Sequence, residues 1–196
     1  MLYFSVRTRG KKVVELAKYK HEKESTPIYK TVLFKTALKI VVASVLIISL
    51  FANLFTHVTP VVKYYGESMS PTLENGQILV VNKLAKIKNG DIIAFYYNNK
   101  VLVRRVVALG SEQVEIDAFG TVSVNGEKID EPYVKDKTLG QCNISFPYNV
   151  PSNTYFALGD NRAVAMDSRL AEIGTVDKDR LIGKVVFSLK PMKSVK

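Results

Sequence analysis

Three stretches of the chain carry side chains whose types and spacing could do chemistry. The first is Gly66-Glu67-Ser68-Met69-Ser70-Pro71-Thr72-Leu73. Glycine permits unusual dihedrals, and proline restricts both itself and the residue before it. A serine set among such residues can be presented to a substrate, and serine chemistry then needs a neighbouring base. The same composition also makes ordinary turns. The second stretch is Lys100–Leu109, an alternating run in which each face is apolar except for one arginine, Arg104 or Arg105. A charge on a face destined for burial needs a partner or a task, and a salt bridge is the ordinary explanation for Arg105. The third is Gly159-Asp160-Asn161-Arg162 with Asp167-Ser168-Arg169 close behind. It reads either as a polar surface loop or as a hydrogen-bonded scaffold, with Asp167 and Arg169 a natural ion pair.

Composition removes several alternatives. The two histidines, His21 and His57, leave little room for a histidine triad or a histidine metal site. The single cysteine, Cys142, excludes an intrachain disulfide and a cysteine zinc cluster. There is no Gly-rich phosphate loop and no solenoid repeat. No metal and no cofactor is expected. Lys63 and Lys83 read as surface lysines, and His57 sits at the edge of an apolar run, so no base for Ser68 stands out.

The elements that must position these residues read mostly as β. Alternation and turn signals predict strands over 77–81, 91–97, 100–109, 112–118, 121–124, 127–129, 155–158 and 181–189. Asn98-Asn99 and Asn125-Gly126 are the hairpin turns among them. Residues 130–151 read as irregular, with prolines at 132, 147 and 151. Ahead of the strands, residues 40–62 form a run of 23 positions without a charged side chain, long enough to span a bilayer as a helix. Residues 1–39 carry +7 of the formal net charge of +10, leaving +3 for the remainder. A basic flank beside an apolar run predicts a signal anchor with its N-terminus in the cytoplasm, a tail that meets anionic lipid, and an exported domain from 63 to 196. A short amphipathic helix is expected over 13–19. The charge distribution argues against a nucleic-acid partner.

The motifs in sequence are similar to those of bacterial type I signal peptidases. Four blocks carry the resemblance: Ser68-Met69-Ser70-Pro71-Thr72-Leu73, Gly90-Asp91-Ile92-Ile93-Ala94-Phe95, Arg104-Arg105-Val106-Val107-Ala108-Leu109-Gly110, and Gly159-Asp160-Asn161-Arg162 with Met166-Asp167-Ser168-Arg169. The single anchor and the short insert at 130–151 resemble the smaller Gram-positive members. The resemblance implies one N-terminal transmembrane helix followed by an antiparallel β domain. It implies a plasma-membrane serine endopeptidase that removes signal peptides from exported precursors after small residues. Ser68 aligns with the nucleophile, and its backbone N–H with an oxyanion-hole donor. Gly66 stands where some members place a second donor hydroxyl. Met69 is expected beside the substrate groove, and Asp160, Arg162, Asp167 and Arg169 as buttresses of the site.

Two positions depart from the pattern. The family's general base is a lysine, where this chain has Arg104. A serine hydroxyl that orients that lysine is replaced by Ala165. A buried lysine can lose its proton and take one from serine; arginine keeps its proton and has no acceptor. The two changes fall on partners and read as one coordinated alteration. Two functions stay open: an active peptidase using an unrecognised base, and a signal-peptidase-like protein that binds exported segments or assists secretion or pilus assembly.

Overall fold

Valine, isoleucine and tyrosine in alternation form pleated strands wherever one face can be buried, and they do so along most of the C-terminal part of this chain. The structure, a computed structural model, describes residues 13–16, 28–189 and 192–194. The chain divides into two compact units, Met1–Leu54 and Phe55–Lys196.

The first unit holds most of a helix, α1 (Ile28–Val58). Its apolar side chains, Ile40, Leu46 and Leu50 among them, are exposed. The apolar stretch of α1 long enough to cross a membrane is Thr31–Val58. The helix starts earlier than the charge-free run because Lys35 and Lys39 are good helix formers that need no apolar surroundings. It stops at Val58 because Thr59 precedes Pro60, and a residue before proline is pushed out of the helical region. Residues 13–16 are helical; the rest of the expected amphipathic helix lies outside the described residues.

The second unit is built from antiparallel ladders. Its strands are β1 (Val61–Lys63), β2 (Ile78–Asn82), β3 (Ile92–Tyr97), β4 (Lys100–Leu109), β5 (Gln113–Ile116), β6 (Val122–Val124), β7 (Glu127–Lys128), β8 (Tyr148–Asn149), β9 (Tyr155–Leu158), β10 (Leu181–Leu189) and β11 (Met192–Ser194). A seven-stranded sheet has the order β1-β2-β10-β3-β4-β9, with β11 paired to β10; a four-stranded sheet has the order β7-β6-β5-β8. The protein is therefore mostly antiparallel β with one long apolar helix ahead of it. Both expected hairpin turns form: Asn98 and Asn99, like Asn125 and Gly126, have the positive φ that such turns require. β1 is a difference from the sequence reading, which placed residues 61 and 62 in the apolar span. Its three residues pair with Ile78–Val80 of β2, a partner no local pattern reveals. β8 likewise emerges from the stretch read as irregular, pairing with Gln113 and Val114.

Three buried clusters hold the sheets. One, including Tyr64, Met69, Leu73, Leu79 and Val81, lies beneath the Ser68 loop. A second fills the smaller sheet around Val114, Val122 and Phe156. The third packs Phe95, Val106 and Leu170. The ladder between β4 and β9 begins only at Arg105, so the Lys100–Arg104 half of β4 has no β9 partner beside it.

Candidate active site

The Ser68 loop is fixed by what lies on either side of the serine. Met69 is wholly buried and Leu73 nearly so, which pins the loop to the core. The Leu73 N–H donates to Met69 O at 2.8 Å and the Ser70 N–H to Glu67 O at 3.0 Å. Pro71 follows Ser70 through a cis peptide bond. Gly66, at φ +103°, turns the chain into the loop, a conformation that side-chain-bearing residues rarely adopt. Met69 belongs to the buried cluster with Tyr64 and Leu73.

Arg104 reaches the serine. Its Nη1 donates to Ser68 Oγ at 2.8 Å and to Val103 O at 2.6 Å. Its Nε and Nη2 both donate to Met166 O, at 2.9 and 2.6 Å. All of these bonds are donated, since a guanidinium accepts none. Burial pushes Arg104 below the ordinary arginine value, while the charges of Asp167 and then Tyr64 work against that shift. Arginine starts so high that it keeps its proton. Arg104 therefore holds the serine oxygen and cannot take its hydrogen.

A second side chain also reaches Ser68. Tyr64 Oη lies 3.2 Å from Ser68 Oγ, with either hydroxyl able to donate. The same Oη accepts the Met69 N–H at 2.9 Å. The sequence reading considered only lysine and histidine as bases and passed over Tyr64. The available signal was its place four residues before the serine, next to a second tyrosine; Tyr64 is buried and Tyr65 exposed. His57, Lys63 and Lys83 are all exposed.

Behind the serine stands a frame of buried ion pairs. Asp160 accepts from Arg105 Nε at 2.9 Å and Nη2 at 2.7 Å, and also from the Thr72 hydroxyl. Arg105 thus links β4, the Ser68 loop and the Asp160 loop, and its guanidinium lies 3.9 Å from the centre of the Tyr133 ring. Asp167 accepts from Arg169 Nε and Nη2, each at 2.8 Å, and from the Gly159 N–H at 2.9 Å. Arg162 donates through Nη2 and Nη1 to Glu131, and through Nε to Gly159 O at 3.0 Å. Glu131 is a residue that sequence reasoning missed; it comes from the stretch read as irregular. Burial, followed by the Glu131 charge, raises the Tyr133 phenol above its ordinary value. The structure thus brings Ser68, Arg104, Asp160, Arg162, Asp167 and Arg169 into one connected region.

Gly159 and Ala165 sit where the loops meet. The Asn161 N–H donates to Ser68 O at 3.0 Å. A Cβ on Gly159 would stand 2.3 Å from Ala165 Cβ, 2.6 Å from Ser68 O and 3.6 Å from Arg104 Cδ. Ala165 is itself buried, and its Cβ and the Arg104 stem both border the space above Gly159.

A serine hydroxyl presented on a pinned loop, with polar side chains within hydrogen-bond reach, is an arrangement that serine hydrolases share. Comparison with known proteins narrows that class. Residues 33–190 match the model of the signal peptidase family, peptidase S26, and the chain belongs to that family. Signal peptidase IB of Staphylococcus aureus is 34% identical over 151 residues, which cover 67% of this chain and 78% of that protein. Signal peptidase I of Bacillus caldolyticus is 39% identical over 144 residues, 65% of this chain and 78% of that one. A crystal structure of a signal peptidase I from Enterococcus faecalis superposes with a TM-score of 0.44 at 29% identity, covering 52% of this chain and 97% of the other.

Proposed function

We propose that this chain is a membrane-anchored serine endopeptidase that removes signal peptides from exported precursor proteins, cutting after small side chains. Family membership supports signal-peptide removal. The observation that carries the catalytic reading is the Ser68 hydroxyl held 3.2 Å from Tyr64 Oη on a loop pinned to the core, backed by the buried frame. Ser68 acts as nucleophile, and its backbone N–H serves the oxyanion. Asp160, Arg162, Asp167 and Arg169 hold the loops that set its position. The half of β4 without a β9 partner offers an edge to which an extended peptide can add as a strand.

The experiment incubates the purified full chain in detergent with a signal-bearing precursor, beside Ser68→Ala, and maps any new N-terminus. The proposal expects a cut after a small residue that vanishes in Ser68→Ala. Undiminished cleavage by Ser68→Ala rejects the nucleophile. Precursor binding without cleavage by either protein supports the second reading, a binding protein, which the donor-only character of Arg104 favours.

The anchor in this reading is α1, and its exposed apolar side chains need an apolar medium. The excess of lysine and arginine before it sets the basic end inside the cell and the β unit outside. Protease added to intact protoplasts should degrade the β unit and spare the basic tail. Protection of the β unit with loss of the tail would show the opposite orientation.

A further inference from the structure

A peptidase of this design has no base at the expected position, because the residue there is a permanent donor. Among the described residues, the Ser68 oxygen has two side-chain hydrogen-bond partners: Arg104 Nη1 at 2.8 Å and Tyr64 Oη at 3.2 Å. Of the two, only the tyrosine can accept. We propose that Tyr64, as its phenolate, is the general base for Ser68, with Arg104 as the cation that holds the serine oxygen beside it. This rests on Ser68 being the nucleophile.

The hydrogen bonds have the right polarity for this role. The Met69 N–H is an obligate donor and points at Tyr64 Oη from 2.9 Å. With the Ser68 hydroxyl as a second donor, two hydrogens converge on one oxygen, which places Tyr64 Oη as the acceptor of the pair. Arg104 occupies a lone pair of Ser68 Oγ, which leaves the serine hydrogen to be directed elsewhere. Tyr64 is only 3% exposed, so its hydroxyl and the Arg104 guanidinium meet at Ser68 Oγ with little competition from water. The attraction between Tyr64 and Arg104 is one of the forces that opposes loss of the arginine proton. Tyrosine is among the side chains that perform general acid–base catalysis.

The reaction balances without any further reagent. Tyr64 first loses its phenolic proton to solvent. Ser68 Oγ then bonds to the scissile carbonyl carbon as its proton passes to Tyr64 Oη and the carbonyl π pair moves to oxygen. The C–N bond breaks as that oxygen re-forms its double bond, and Tyr64 gives the proton to the departing amine. Water attacks the acyl-serine by the same route, with Tyr64 taking a proton from the water and returning it to Ser68 Oγ.

The test is single-turnover cleavage of one precursor by the full chain in detergent, followed across neutral to alkaline pH. Five proteins are compared: the unmodified chain, Tyr64→Phe, a chain with ring-fluorinated tyrosine at 64, Arg104→Lys with Ala165→Ser, and that pair combined with Tyr64→Phe. Tyr64→Phe should slow cleavage about 100-fold or more and lose the alkaline rise, with KM little changed. Fluorination makes a phenol more acidic, so the alkaline rise should move to lower pH. In the lysine-containing background, where an amine can take the proton, the penalty of Tyr64→Phe should shrink by about tenfold or more. A rise that stays in place on fluorination, or an equal penalty in both backgrounds, reduces Tyr64 to a structural role and overturns the proposal. Full activity in Tyr64→Phe with none in Ser68→Ala removes Tyr64 alone and leaves the peptidase reading standing. No cleavage by the unmodified chain removes both.

Discussion

Changing Arg104 to lysine and Ala165 to serine together should raise the single-turnover cleavage rate near neutral pH about 100-fold or more. The guanidinium of Arg104 now spends its hydrogens on Ser68 Oγ, Val103 O and Met166 O. A lysine there is one atom shorter and loses part of that set, but in a buried position its amine can give up its proton. Placement is then the difficulty, because an alanine at 165 offers the amine no acceptor. A serine at 165 would supply a hydroxyl from a residue that borders the same space above Gly159 as the stem of residue 104. Either single change should therefore gain less than the pair, the mark of two residues acting as one unit. The advantage should narrow at alkaline pH, where Tyr64 can serve the unmodified chain. If the unmodified chain already matches the double variant near neutral pH, Arg104 costs the enzyme nothing and the notion of a missing amine fails.

Glu131→Ala should cost the β unit about 3–5 kcal/mol, because it strips a buried cation of its counter-charge. Arg162 is 1% exposed and Glu131 2%. Both carboxylate oxygens of Glu131 accept from Arg162, and one also accepts from the Tyr133 hydroxyl at 3.1 Å. After the substitution the guanidinium retains the Gly159 carbonyl but no opposite charge within this pair. The melting temperature should fall by about 10 °C or more, read by circular dichroism, since the chain has no tryptophan to report unfolding. Glu131→Leu combined with Arg162→Met should recover much of the loss, because replacing a whole buried pair with apolar groups is close to neutral. A melting temperature unmoved by Glu131→Ala would show that the pair contributes nothing to the frame.

What could be read from sequence and what could not divides along chain distance. The apolar run from Lys100 to Leu109, opened by the Asn98-Asn99 turn and closed by Gly110, places β4 at its observed ends, because a strand buried on both faces reads as a continuous apolar run between turn residues. The pairing of Asp167 with Arg169 was equally legible, since the partners are two residues apart. Arg105 presented only half of its story: its apolar surroundings demanded a partner, but that partner, Asp160, is 55 residues away. Glu131 and Arg162 are 31 apart, and nothing local marks the glutamate as buried. β1 escaped notice because Val61 and Val62 continue an apolar run; Pro60 marks the end of the helix, but only the ladder to β2 shows that a strand follows. Tyr64 was hidden by expectation more than by distance. The search for a base followed the lysine of the family pattern, and a phenol in the preceding turn has no motif of its own.

The narrow place at Gly159 acts as a clearance gauge. A single methyl group there would overlap Ala165 Cβ and the Ser68 carbonyl at once. The height at which the serine loop rides over the strand end is thus set by a carbon atom that is missing. The same clearance holds for the opposite wall: the methyl of Ala165 already fills the point that a side chain at 159 would claim.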